Sequence, residues 1–384
     1  MTMGLFRREK EPPREGDKQE YVSPSQWKMI WRAFRKHRLG NVGMAIILVL
    51  IVGAVFAEFF APYDYKDQYN SYSFSPPSTL HFRSESGFSL RPFVYKTKRT
   101  FDRETYRPVF TEDTSKKYYI RLFVRGSEYR LLGLFKTNIH FFGARSEDGD
   151  EAMVFLFGAD AYGRDLFTRV MIGGRISLAV GPFVILLGFP ISIFLGGISG
   201  YYGGGVDMFL QRFGEVFMAI PGLPILLVIG AALSGFGLSA VLVFFGIIGA
   251  LTIVSWAGMA RVIRGQVLAI RQMDFVSSAK AAGASDVRII IRHIAPNVTS
   301  YLVVAATLTI PGMMLSEASL SFLGYGIHEP MTSWGQLLNA ATNISGIQEH
   351  PWLLIPGVFI VISVLAFNFM GDALRDAVDP FSIV

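Results

Sequence analysis

The chain has 384 residues, of which 51% are hydrophobic, and a mean hydropathy of +0.38, which is too apolar for a soluble domain and indicates a membrane protein. It contains no cysteine and six scattered histidines without an HExxH pair, so disulfides and thiolate chemistry are excluded and we expect no metal site. The net charge of +6 is typical of lysines and arginines beside anionic lipid, and we expect no nucleic-acid partner.

The first 40 residues are predicted to be cytosolic. Residues 1–26 are charged and include Pro12 and Pro13, so we expect a disordered tail. An amphipathic helix follows over Gln26–Leu39, and the side chains on its apolar face are Trp27, Ile30, Trp31 and Phe34. This pattern is typical of a helix lying among lipid headgroups, and the alternative is a plain extension of the first span. We place that span at residues 41–61, the length that a bilayer requires.

Residues 62–157 are rich in tyrosine, phenylalanine, lysine, arginine and serine, and they follow the first span on the extracytoplasmic side. The alternation over Lys117–Arg125 predicts a strand, Gly126–Ser127 a turn, and Glu128–Leu132 the returning strand. We therefore expect a small β-containing domain inserted between the first and second spans. The sequence indicates no chemistry for it.

Residues 158–384 are predicted to form a membrane core with five more spans. Proline and glycine inside such spans are tolerated because neighbouring helices satisfy the freed backbone groups. The predicted spans are Ile176–Gly197 with a kink at Pro190, Phe213–Leu233 with a break near Pro221 and Pro224, Leu238–Met259, Ser300–Leu323 and Leu353–Phe369. The fold class is therefore an all-α polytopic membrane protein with six spans, and their even number places both termini in the cytosol.

A basic interlude separates the fourth and fifth spans, from Met259 to Asn297. Its arginines and lysine place it in the cytosol by the positive-inside rule. Phe275–Ala282 is predicted to be a short helix ended by Gly283 in the left-handed conformation, and a second helix over Asp286–Ile294 is expected to stop at Pro296. The helix presents one apolar face, made of Phe275, Val276, Ala279 and Ala282. Such a helix is suited to docking on a partner, although an ordinary helical loop has the same shape.

The segment from Phe275 to Pro296 resembles the cytosolic signature of ABC importer permeases, in which a Glu-Ala-Ala triplet precedes a glycine. Ser277-Ser278-Ala279 takes the place of the triplet, and Gly283 and Ile294-Ala295-Pro296 match. Other stretches resemble the C-type subunit of dipeptide and oligopeptide permeases: Leu156–Arg169, Gly174–Leu178, Gly200–Gly204, Glu317–Gly326, Ser333–Gly335, and Asn368 with Gly371–Pro380.

The resemblance implies a type I importer permease fold in a bacterial cytoplasmic membrane, with no catalytic residue in this chain. It also implies a second, B-type permease subunit, two ABC ATPase subunits and an extracytoplasmic peptide-binding protein as partners. Because the chain has no G-x-x-x-x-G-K-[ST] motif, ATP and magnesium would be used by the partner subunits, and this chain would bind no cofactor. Coupling is expected at residues 273–296, through Phe275, Val276, Ser277, Ser278, Ala279, Ala282 and Gly283.

The substrate pathway offers three polar candidates in or near the last two spans: Ser316, Glu317 and Asn368. An acid at membrane depth is costly and usually faces a cavity or a partner, so Glu317 is expected to do so unless it lies at a solvated helix end. For Ser316, helix packing is the alternative role.

Three other functions compete with this interpretation. Gly197-Ile198-Ser199-Gly200 matches the G-x-S-G of intramembrane serine proteases, but no later span has a histidine to act as the base. A secondary transporter should show inverted repeats and buried charge pairs, and the sequence shows neither clearly. Within the ABC class, a permease for nickel or another small solute would share these motifs and remains open.

Overall fold

The structure is a computed structural model that describes residues 26–84, 87–104, 108–342 and 344–378. Residues 1–25 of the predicted tail and the last six residues lie outside the described ranges. Within these ranges, five helices are long and apolar enough to cross a membrane, and one bent helix pair brings the number to six. A five-stranded antiparallel sheet is inserted between the first two spans. The predicted fold class is confirmed.

The chain enters the bundle through two consecutive helices, α1 (Gln26–Lys36) and α2 (Arg38–Val55), and a short third, α3 (Ala57–Phe60). His37 separates the first two, and its Nδ1 accepts a hydrogen bond from the Gly40 amide at 3.1 Å. The amphipathic helix is confirmed, but Ile30 and Phe34 pack against the last helix of this same chain instead of lipid. Trp31 remains half-exposed.

The second span is helix α4 (Leu166–Tyr202), which begins ten residues before the predicted start at Ile176. Asp165 caps it, because its carboxylate accepts from the Thr168 amide at 2.9 Å. In the sequence, Arg169 and Arg175 made the first turns of α4 appear too polar for a membrane span. Each is neutralised by a carboxylate, and Arg175 donates to Glu58 at 2.6 Å. Glu58, at the outer end of the first span, is therefore paired within the protein.

The third span is broken as predicted. Helices α5 (Gly204–Ala219) and α6 (Gly222–Gly235) meet at an angle of 76° around Pro221. Helix α7 (Ala240–Ile270) is the fourth span and is followed by two short helices, α8 (Asp274–Ala281) and α9 (Asp286–Ile289). We call residues 274–289 the elbow, and the end of the bundle where they lie the elbow end.

The predicted helix end at Pro296 is wrong. One wide π-helical turn, Ile290–Ile294, joins α9 to helix α10 (Ala295–Phe322), which begins with Pro296 in its first turn. A proline needs no amide partner there, and a widened turn relieves the clash of its ring with the preceding carbonyl. The remaining helices are α11 (Trp334–Asn339), α12 (Ile344–Glu349) and the sixth span, α13 (Ile355–Val378).

The sheet runs as a meander through β1 (His81–Ser84), β2 (Gly87–Phe101), β3 (Pro108–Leu131), β4 (Phe135–Arg145) and β5 (Glu151–Ala152). The predicted turn at Gly126–Ser127 is wrong, because β3 continues past it with a bulge between Arg125 and Tyr129. A Cβ on Gly126 would lie 2.7 Å from the His140 ring, so glycine is required by packing. The true turn is at Leu132–Gly133, where both residues have positive φ.

The sheet and the elbow lie at opposite ends of the bundle. Phe142 of β4 contacts Phe167 in the first turn of α4, whereas Tyr201 in its last turn contacts the elbow. We call the first of these the sheet end. Helix α1 packs on the last turns of α13, so both described termini lie at the elbow end.

Glycines let the spans approach closely. A Cβ on Gly196 of α4 would lie 2.4 Å from the Ala260 carbonyl oxygen of α7, and one on Gly43 of α2 would lie 2.5 Å from the Ala366 oxygen of α13. Gly249 of α7 faces open space, since a Cβ added there would have no atom within 4 Å. Small residues at such crossings are the usual means of helix packing in lipid.

We therefore expect Gly196→Ala to destabilise the chain by about 1–3 kcal/mol, because the added methyl overpacks the contact between α4 and α7. Gly249→Ala is the matched control, and it should be neutral or stabilising, since alanine favours a helix over glycine by up to about 1 kcal/mol. Thermal unfolding of the purified protein in detergent measures both. Equal midpoints for the two variants would contradict the close approach.

Candidate functional site

The elbow is built by local signals that the sequence already indicated. Helix α8 ends where Gly283 adopts a φ of +80°, a conformation that glycine tolerates without steric cost. Helix α9 starts at Ser285, whose hydroxyl accepts from the Arg288 amide at 3.4 Å. The predicted short helix and its left-handed glycine are therefore present, with the start of α8 one residue earlier than expected.

The predicted docking face of α8 is divided between two sides of the helix. Val276 is 3% exposed and packs with the half-buried Ala279 against Ile263 and Val267 of α7 and Ile289 of α9. Val276 cannot contact a partner in this conformation, and this part of the prediction is wrong. The predicted residues that present exposed surface are Phe275, Ser277, Ser278, Ala282 and Gly283. The face is divided because Val276 and Ala279 pack the elbow against its own bundle.

Polar contacts fix the elbow to the end of α4. The Tyr201 hydroxyl donates to the Asp286 carboxylate at 2.6 Å, and Arg271 Nη1 donates to the Tyr201 carbonyl oxygen at 2.6 Å. One turn away, Arg264 of α7 donates from Nε to Asp207 of α5 at 2.5 Å. These contacts join α4, α5, α7 and the elbow.

A second charged cluster lies at the sheet end. Arg164 Nε and Arg169 Nη1 both donate to Asp160 Oδ2, at 2.7 Å and 2.5 Å. The same two guanidinium groups donate to Glu329 Oε1, at 2.6 Å and 3.0 Å. Asp160, Arg164 and Arg169 are buried, whereas the Glu329 side chain is 49% exposed. The cluster ties the segment before α4 to the turn after α10.

The neighbouring cap residue Asp165 is buried as well. Burial raises the pKa of its carboxyl to about 6, and the hydrogen bonds from Thr168 only partly offset this effect. Its Oδ1 has no hydrogen-bond partner among the described residues. The start of α4 thus concentrates buried charge that must be compensated locally.

The three pathway candidates do not share one exposed surface. Glu317 of α10 is fully buried, and its Oε1 accepts from the Ser321 hydroxyl at 2.7 Å. Ser321 in turn accepts from the Ile327 amide at 2.9 Å, so Glu317 helps to hold the turn after α10. Neither an open passage nor a solvated helix end surrounds Glu317. Ser316 of α10 and Asn368 of α13 are both half-buried.

A cavity of about 210 Å³ lies instead among α4, α7 and α10. Its polar lining is made of hydroxyl groups, from Ser192, Ser255 and Thr309, beside Trp256. Ser192 Oγ also lies 2.8 Å from the Gly188 oxygen and 2.9 Å from the Trp256 oxygen, as donor to these carbonyls. The sequence did not indicate this cavity, because single serines and threonines in an apolar span resemble packing residues.

Comparison with known proteins places this architecture in a family. The model of "Binding-protein-dependent transport system inner membrane component" matches residues 188–383, and that of "N-terminal TM domain of oligopeptide transport permease C" matches residues 25–77. The oligopeptide transport system permease protein OppC of Bacillus subtilis is 30% identical over 367 residues, which cover 95% of this chain and 93% of that protein. The chain belongs to the family of binding-protein-dependent inner-membrane permeases.

Two further relatives extend the comparison. OppC of Haemophilus influenzae is 43% identical over 225 residues, covering 58% of this permease and 70% of its relative. The glutathione transport system permease protein GsiD of Escherichia coli is 31% identical over 363 residues, covering 94% and 93%. The permease is thus a multi-pass membrane subunit of an ABC importer. The two family models leave residues 78–187 unmatched, a range that includes the whole sheet.

We expect Tyr201→Phe to loosen the elbow of the permease, because it deletes the hydrogen bond to the Asp286 carboxylate. Hydrogen bonds to charged groups contribute about 1.5–3 kcal/mol, so amide exchange in residues 283–290 should accelerate by about tenfold or more. Tyr202→Phe is the matched control, since this neighbouring ring is exposed. Hydrogen exchange of the membrane-embedded protein, followed by mass spectrometry, measures these rates. Equal exchange rates in the two variants would show that the hydrogen bond from Tyr201 to Asp286 does not anchor the elbow.

Proposed function

We propose that this chain is the transmembrane permease subunit of an ATP-driven importer for dipeptides and oligopeptides. It forms half of the translocation pathway, and a second, B-type permease subunit forms the other half. The observation that supports this most strongly is the match over nearly the whole chain to an oligopeptide permease. The relatives are named for the transport of oligopeptides, dipeptides and glutathione, which is itself a tripeptide.

The elbow end faces the cytosol in this proposal. It combines the basic side chains of α1 with those around the elbow, and a membrane protein retains such an excess on the cytosolic side. The residues concerned are Lys28, Arg32, Arg35, Lys36 and Arg38, together with Arg261, Arg264, Arg271, Lys280, Arg288 and Arg292. Both termini are then cytosolic, and the sheet lies outside.

The elbow binds an ATPase subunit through the surface that it leaves free. Phe275, Ser278 and Ala282 are exposed on α8, whereas Val276 anchors the helix to α7. Nucleotide-driven motion of two ATPase subunits is passed through Asp286, Tyr201 and Arg271 to α4 as a shift between two packed arrangements. ATP and magnesium are used by those subunits.

On the pathway, Ser316 and Asn368 are the candidates for the surface shared with the second permease. Glu317 acts from inside the protein, because it holds the turn after α10 through Ser321. Peptides vary in their side chains, so a weakly polar passage is suitable and selectivity lies mainly with the extracytoplasmic binding protein. The sheet is positioned to receive that protein.

We expect Ala282→Asp to uncouple ATP hydrolysis from uptake without preventing membrane insertion. A charge at the centre of the contact should weaken it by about 2 kcal/mol, the cost of losing an interface hot spot, which is roughly a 30-fold loss of affinity. Gly205→Asp is the matched control, since this residue is exposed at the elbow end with open space around it. Uptake and ATPase activity of the reconstituted complex are measured. Normal coupling in Ala282→Asp would remove α8 from this role.

The substrate class is tested separately. The binding protein that copurifies with the complex should release peptides when denatured, and mass spectrometry of the released material identifies them. A bound nickel ion or another small solute would instead favour the alternative function, an ABC permease for nickel or such a solute. Elemental analysis of the same sample provides the comparison.

A further inference from the structure

The hairpin between β3 and β4 ends in an apolar tip that none of the described residues covers. We call residues 130–136 the hairpin tip. Leu132, Leu134 and Phe135 are 50%, 75% and 67% exposed. Such side chains at the end of a long hairpin are costly in water, and a contiguous exposed apolar patch marks a contact surface.

Two features show that the apolar tip is not incidental. Leu132 has a φ of 53°, a left-handed conformation that asparagine or glycine would adopt at lower cost. Arg130 and Lys136 are direct cross-strand partners and both are exposed. Like charges placed opposite one another repel, and an anion bound beside them would relieve this repulsion. The tip therefore combines apolar side chains with a site for negative charge.

The base of the hairpin is held at the level where the first span leaves the bilayer. His140 Nδ1 lies 2.5 Å from the Ala61 carbonyl oxygen, and the Phe141 ring contacts the rings of Phe59 and Phe60. A helix that enters the bilayer at Arg38 needs about 20 residues to cross it, which places the opposite surface near Glu58.

The length of the hairpin allows the tip to reach the lipid surface around this base. Beyond His140, β4 runs five residues to Phe135, about 17 Å at 3.3 Å per residue. This part of β3 pairs with β4 alone, since β2 pairs only as far as Tyr119. Helix α2, which ends just before this base, turns Leu48 and Val49 outward with 60% and 69% exposure, so this side of the bundle presents an apolar surface suited to lipid.

We propose that the hairpin tip enters the membrane surface at the sheet end and binds anionic phospholipid. The leucines and phenylalanine lie among the upper acyl chains, and Arg130 and Lys136 bind headgroup phosphates, as in other interfacial anchors. The inserted sheet is thereby held at two places, at α3 and at its tip, and cannot rotate about the end of the first span.

A single introduced cysteine tests this, because the chain has none of its own. A nitroxide label is attached to Leu134→Cys in the full transporter, whose partner subunits are made free of reactive cysteine. The labelled transporter is reconstituted in nanodiscs that contain phosphatidylglycerol. The control is Thr111→Cys, an exposed position at the other end of the same strand. The ratio of collisions with oxygen to collisions with a water-soluble nickel chelate should be several-fold higher at position 134 than at 111.

Two further measurements of the same collision ratio complete the test. Adding Leu132→Ser and Phe135→Ser to the labelled protein should lower the ratio toward the control, and both side chains are exposed enough for folding to be unaffected. Replacing phosphatidylglycerol by phosphatidylcholine should lower it as well. Equal ratios at positions 134 and 111 would overturn the proposal. It would also be overturned if the label at 134 were immobilised only on adding the binding protein, since the tip would then bind that protein.

Discussion

Helix α4 connects the two ends of the molecule, and its ends must satisfy buried charge without help from water. Near its start, Arg169 is neutralised by Asp160 and Glu329, and near its end Tyr201 is bound by Asp286. Asp160 and Arg169 are buried within the protein, where a charge must find its partner in the chain itself. The position of α4 along its own axis is consequently fixed at both ends, and the sheet and the elbow are held relative to one another through it.

Close packing makes this arrangement stiff. Gly196 and Gly200 let α4 contact the backbone of α7, where a side chain would collide with the carbonyl oxygens of Ala260 and Arg264. Contacts of this kind have few intermediate positions, because small shifts either open a void or force a clash. The break between α5 and α6 is different, since its backbone is bent by 76° at a proline. Rearrangement of the core is expected to begin there, with α4 and α7 moving as a pair.

The sequence predicted the features that depend on local chemistry. Span number, the break near Pro221, the elbow helix and the left-handed Gly283 all follow from hydropathy, proline and glycine. What it missed depends on partners distant in the chain. Arg169 and Arg175 hid the first turns of α4 because Glu329 and Glu58 cannot be recognised as their partners in advance. Likewise, the helical period showed that Val276 and Phe275 were apolar, and only packing on α7 showed which of them is buried.

The first and last spans are neighbours, although they are the most distant in sequence. Gly40 and Gly43 of α2 fit against Ala373 and Ala366 of α13, and α1 packs on the same helix. During synthesis the amino-terminal helix enters the bilayer first, long before its partner leaves the ribosome. The glycine-lined side of α2 must therefore face lipid until the sixth span, α13, is inserted. The seam between the two spans therefore forms only after the sixth span has been synthesised, and a chain truncated before α13 would leave the surface of Gly40 and Gly43 unfilled.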